Sequence, residues 1–191
     1  MLAKVVRIGL ILFFSVNVFA GKIDKAYAAL KIYDYFKAKT LFQEMLNNEP
    51  VSARYGLTII YYRKDNPFHN LDTAYAYINK VEIDFEELRN KDKKDLLEFY
   101  IDEEHILELK SNIISSFWKN IEKTNSVRLI NSFIEKFPDF YDIEKIKEIR
   151  TDLAYNKAEK QNTFQSYGSF FNTYPGDYRS EEAKIIYVIH L

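Results

Sequence analysis

Cysteine is absent from the 191 residues. That excludes a disulfide framework, a thiol nucleophile, a cysteine-ligated zinc site and lipid attachment through an N-terminal cysteine. Glycine and proline are scarce, at five and four residues, too few for a loop-rich sandwich or a glycine-gated nucleotide fold. The glycines (Gly9, Gly21, Gly56, Gly168, Gly176) are scattered, so they build neither a phosphate-cradling loop nor a Gly-x-Ser-x-Gly elbow. Charge of one sign is lacking too: the formal net charge is −1, which argues against non-specific nucleic-acid binding. What is abundant is apolar, with 47% hydrophobic and 16% aromatic residues. Such a chain is too greasy for disorder and long enough for one ordinary domain, or two small ones.

The first twenty residues read as an address. Lys4 and Arg7 form a basic start, Ile8 to Ala20 is mostly apolar, and Val18-Phe19-Ala20 precedes Gly21. Slender side chains three and one residues before a scissile bond suit signal peptidase, so residues 1–20 are expected to be a signal peptide cleaved between Ala20 and Gly21. The stretch is shorter than the roughly 20 apolar residues of a membrane span, and it contains Asn17, so no stable span is expected after cleavage. Removing two cations would take the net charge to −3. Export places the mature chain in the periplasm or cell envelope of a Gram-negative bacterium.

Beyond Gly21 the apolar residues recur with a helical period. Tyr35, Ala38, Phe42, Met45 and Leu46 form one stripe, and Leu71, Ala74, Tyr75, Ile78 and Val81 a second. Between Glu103 and Lys123 two stripes coexist, through Ile106, Leu109, Ile113 and Phe117 and through Leu107, Ile114, Trp118 and Ile121. A helix apolar on two sides belongs between layers. Pro50, Pro67, Pro138 and Pro175 each fall where a stripe stops, marking helix ends followed by turns. Ser52, Asp72, Asp102, Ser126, Thr163 and Ser180 are placed to cap the helices that follow. The charged run Arg89–Asp95 is either a boundary between two halves or a solvated helix face.

Residues 117–150 can be laid on 154–187 without a gap, at a shift of 37. Glu122-Lys123, Asn125, Ser132-Phe133, Pro138, Tyr141, Glu144, Lys147 and Ile149 recur, and Phe137 falls on Tyr174. About ten identities over such a span, with proline and aromatics in phase, indicate two divergent helical repeats over 117–191. In the first half, Tyr35-x-x-Ala38-x-x-x-Phe42-x-x-x-Leu46-x-x-x-Pro50 resembles the second helix and closing proline of a tetratricopeptide repeat, with Tyr55-Gly56-Leu57 at the small position of a first helix. Shifted by 36, Leu71, Ala74 and Ile78 repeat it more weakly, without the proline. The C-terminal pair resembles divergent repeats of exported helical proteins from Bacteroidetes-like bacteria. The resemblance implies an all-α superhelix of stacked antiparallel helix pairs: two pairs over 21–83, linking helices over 84–123, then the divergent repeats. It also implies a groove that holds a peptide or a partner helix.

Residues with chemical potential have plainer structural uses. His105 follows Asp102-Glu103-Glu104, and Asp102 and Glu108 could share its helical face, yet the two-histidine spacing of a zinc helix is missing and acids suit a helix N-terminus. His69 and His190 have no ligand partner nearby in sequence. Catalytic, cofactor and metal sites are therefore not expected. Aromatic clusters at Tyr61-Tyr62, Tyr75 and Tyr77, and Tyr167 with Phe170 and Phe171 are candidate groove faces. Tyr61, Tyr62, Arg63 and Tyr77 are the first choice for contact with a partner. The apolar end, Ile185 to Leu191, is unusual for a terminal repeat, and suggests self-association, a missing further unit, or folding back. The expectation is an exported, non-catalytic scaffold or adaptor for a protein or peptide. The competing expectations are an envelope enzyme or glycan-binding protein, and an assembly module of a larger envelope protein.

Overall fold

The computed structural model describes residues 21–189; the expected signal peptide, Ala20 of the cleavage pair and the last two residues lie outside them. Among the described residues the protein is all-helical. Its α-helices are α1 (Lys22–Lys31), α2 (Tyr35–Met45), α3 (Pro50–Tyr62), α4 (Leu71–Glu86), α5 (Asn90–Leu96), α6 (Glu103–Ile121), α7 (Val127–Lys136), α8 (Ile143–Gln161), α9 (Phe164–Thr173) and α10 (Ser180–Ile189). Short 3-10 turns, Leu97–Phe99 and Glu122–Thr124, follow α5 and α6. No described helix is long and apolar enough to cross a membrane.

Helices pack on their neighbours in the chain: α1 on α2, α2 on α3, α3 on α4, α4 on α6, and so on through α6–α7, α7–α8, α8–α9 and α9–α10, with α1 also touching α3. Among the described residues the core is accordingly divided into four clusters. The first joins α1, α2 and α3 around Ala26, Ala38, Phe42, Leu57 and Ile60. The second joins α3, α4 and α6 around Tyr55, Ile78, Val81, Ile101 and Ile113. The third holds Ile130, Phe133, Phe137, Phe140 and Ile146, and the fourth Tyr155, Ala158, Tyr167, Phe170 and Ala183. Each fully buried Phe or Ile stabilises by about 2 kcal/mol.

Two close approaches explain where small and two-sided helices are needed. The Phe42 ring lies against Gly56, in the space a Cβ would occupy. Helix α6 uses both its stripes: Ile106, Leu109 and Ile113 pack toward α4, and Ile114, Trp118 and Ile121 toward α7, with Phe117 shared. Leu107 alone of these remains about half exposed, at 47%.

Helix boundaries differ from the proline reading in one place. Pro50 is the first residue of α3, where its missing N–H costs nothing; α2 has already ended at Met45. Of the expected caps, Asp102, Ser126 and Thr163 accept hydrogen bonds from the backbones of His105, Leu129 and Ser166. Asn70, not Asp72, caps α4. Ser52 is buried inside α3, and the Ser180 hydroxyl donates to the Tyr174 carbonyl at 2.6 Å.

At a spacing of 37 residues, α7 and α9 start and end in step, and α8 and α10 start in step. Asn125 and Asn162, just before the two caps, both take the left-handed conformation, at φ 49° and 48°. Asparagine tolerates that region better than most residues. Trp118 meets Phe133 at 5.5 Å and Tyr155 meets Phe170 at 5.1 Å, while Phe133–Phe137 and Phe170–Tyr174 are 4.9 and 5.4 Å apart. In the turn before α10, Arg179 lies 5.1 Å from the Tyr155 ring and pairs with Asp177 at 2.7 Å and Asp152 at 2.8 Å.

Candidate partner-binding groove

A groove of about 500 Å³ opens between α1, α3 and the turn that leads into α6. Tyr27, Ala28 and Leu30 come from α1, Ile59 from α3, and Phe99 and Tyr100 from the turn. The turn is held by Ile101, which is fully buried and donates its N–H to the Leu96 carbonyl at 3.2 Å. Tyr100 takes a left-handed conformation, φ 56°, and is 73% exposed. This geometry lays Phe99 flat on Tyr27, with ring centres 4.5 Å apart and planes 18° apart. Phe42 meets the same Tyr27 ring edge-on at 4.9 Å. The Tyr27 hydroxyl donates to the Ser52 carbonyl at 2.7 Å. Burial, with Tyr55 and Glu49 adding to it, raises the Tyr27 pKa well above the usual phenol value, so the ring stays neutral.

Charges stand at the two ends. Asp24 and Glu98 line the groove, and Glu49 lies close enough to both that burial, then their negative charges, raises its carboxyl pKa. Lys31 and Arg63 also line it, at the C-terminal ends of α1 and α3. Arg63 donates to the Tyr35 hydroxyl at 3.2 Å and sits 5.2 Å from the Tyr33 ring centre. That hydroxyl in turn donates to Asp65 at 2.8 Å. Burial, then the Asp65 hydrogen bond, raises the Tyr35 pKa against the opposing effect of Arg63.

The four residues singled out from the sequence are distributed rather than gathered. Arg63 lines the groove. Tyr61 and Tyr77 stack on each other, 5.8 Å apart and 12° from parallel, half-buried against the first core cluster. Burial, then Tyr77, raises the Tyr61 pKa. Tyr62 packs against the second cluster. Tyr27, Phe99 and the acidic rim were not distinguished by the sequence reading. The available signal was Phe99-Tyr100, two adjacent aromatics beginning four residues beyond the charged run Arg89–Asp95.

The Asp102–His105 pair is a cap. The Asp102 carboxylate accepts from the His105 backbone at 2.9 Å and contacts its ring Nδ1 at 2.8 Å. These bonds, backbone first, lower the Asp102 pKa, while the side-chain bond raises that of His105. Among the described residues no group of three or more His, Cys, Asp or Glu could hold a metal ion. Compared with known protein families, curated proteins and solved structures, the chain matches none.

Proposed function

We propose that this protein is an exported, non-catalytic scaffold or adaptor of the tetratricopeptide type, binding a protein or peptide partner in the bacterial cell envelope. The observation that carries the reading is the aromatic-floored groove between α1, α3 and the 97–100 turn, whose volume of about 500 Å³ suits several side chains of a partner. The succession of helices, each packed on its chain neighbours, supports a stacked repeat array, because such units bury their apolar faces mainly on adjacent units. The matched caps and aromatic contacts at a spacing of 37 support the same view. The basic, then apolar, first twenty residues support export and cleavage before Gly21.

Site-specific crosslinking tests this. A photo-reactive amino acid replacing Ala28, exposed on the groove wall, is expected to trap a discrete protein adduct in living cells. The same group replacing the exposed Lys160 of α8 is expected to trap none. Equal labelling from both positions, or no adduct at position 28, would overturn the groove as the binding site. N-terminal sequencing of the recovered protein is expected to begin at Gly21.

A further inference from the structure

The groove carries opposite charge at its two ends, and that polarity specifies more about its occupant than shape does. Helices α1 and α3 run side by side in the same sense: Asp24 lies near Glu49, the residue before α3, the Tyr27 hydroxyl reaches Ser52, and Arg63 closes the far end of α3. The carboxylates of Asp24, Glu49 and Glu98 therefore share one end, and Lys31 and Arg63 the other. Between them the wall is apolar, formed by the Tyr27–Phe99 stack, Leu30 and Ile59. Glu98 and Lys31 are exposed and form no ion pair with any described residue. Among the described residues the Arg63 guanidinium has Tyr35 as its hydrogen-bond partner. At the acidic end Asp24 already accepts from the Gly21 N–H at 2.5 Å, so Glu49 and Glu98 there, and Lys31 and Arg63 at the other end, remain for a ligand.

Distance fixes the spacing. Asp24 and Lys31 are two turns apart on α1, about 10 Å at a rise of ~1.5 Å per residue. A peptide in the extended polyproline II conformation covers that length in about three residues at ~3.1 Å each, and with three residues per turn it returns its side chain to the same face.

We propose that the groove takes an extended peptide segment of a partner protein. The segment carries a Lys or Arg at the Asp24–Glu49–Glu98 end, apolar side chains over Tyr27 and Phe99, and an Asp or Glu about three residues away at the Lys31–Arg63 end. This rests on the scaffold reading and adds the chemistry of its partner. Seating a cation at the acidic end offsets the repulsion among the carboxylates, which adds to burial in raising the Glu49 pKa. Complementary charges of this kind fix register and orientation more than they add affinity.

The test uses four fluorescent peptides of one length with Phe-Leu at the centre: Lys-Phe-Leu-Glu, its reversal Glu-Phe-Leu-Lys, and the like-charged Lys-Phe-Leu-Lys and Glu-Phe-Leu-Glu, each flanked by Gly-Ser. Anisotropy against the purified protein is expected to show one of the two mixed-charge peptides binding at least tenfold more tightly than both like-charged ones. Glu98→Lys, an exposed substitution in the turn, is expected to weaken that peptide and strengthen Glu-Phe-Leu-Glu. Equal binding of all four, unmoved by Glu98→Lys, would overturn the charge order while leaving the groove as a docking site. Binding by none of the four, with the crosslink from position 28 still formed, would overturn this inference but not the scaffold. Loss of both would overturn the two together.

Discussion

Gly56 shows how one residue sets the distance between helices. Replacing a helical glycine with alanine ordinarily stabilises by about 0.5–1 kcal/mol. Here the new methyl would enter the Phe42 ring, which is fully buried and has nowhere to retreat. Overpacking of this kind costs about 1–3 kcal/mol. Gly56→Ala is therefore expected to destabilise, lowering the urea midpoint, and Gly56→Ala combined with Phe42→Leu is expected to recover part of the loss. The Arg179–Asp177 pair makes a second residue-scale prediction. Hydrogen bonds from Arg179 are the main cause that lowers the Asp177 pKa below its usual value. A depressed carboxyl stabilises the fold fully above its unfolded pKa, near 3.9, and that contribution is lost as pH falls through the folded value. Asp177→Asn is expected to reduce stability at neutral pH and to flatten the acid limb of a stability–pH curve below about pH 4. An unchanged acid limb would show that the pair contributes no pH-linked stability.

At the scale of elements, the two helices that begin 37 residues apart are capped unequally. Thr163 and Ser166 bond each other's backbone N–H reciprocally, at 3.2 Å both ways, whereas Ser126 accepts from Leu129 at 3.4 Å without a return bond. Loss of a cap costs about 0.5–2 kcal/mol. Thr163→Ala is expected near the upper end of that range and Ser126→Ala near the lower, measured as increased amide exchange in the first turns of α9 and α7. These elements were the most legible part of the chain. Asn125-Ser126 and Asn162-Thr163 announce a left-handed stop followed by a cap, and both stripes of α6, Leu107 excepted, pack on the sides their spacing requires. Pro50 misled because proline suits a helix start as well as it bars continuation. Ser52 misled because its place beside α1, beneath the Tyr27 hydroxyl, is set by tertiary packing. The groove was harder still. Its floor joins Tyr27 to Phe99 across most of the first half of the chain, through a left-handed Tyr100 that no periodicity announces. Only Arg63 among the four chosen residues lies on it, because Tyr61 and Tyr77 satisfy one another.

Across the described residues, most contacts run between helices close in the chain, and the buried side chains fall into four clusters rather than one. The fourth rests on three aromatic residues and two alanines, and beyond it α10 leaves Ile185, Val188 and Ile189 63%, 66% and 74% exposed. Such a partition has a thermodynamic signature. Where one cluster can dissolve while its neighbours hold, melting is not all-or-none, so the heat measured by calorimetry should exceed the van't Hoff value taken from the steepness of the transition. Exchange should begin in α10 and travel inward, reaching α3 last. A ligand seated across α1, α3 and the 97–100 turn would then act as a clasp on the slowest-melting end, raising the upper part of the melt while leaving the frayed end as loose as before.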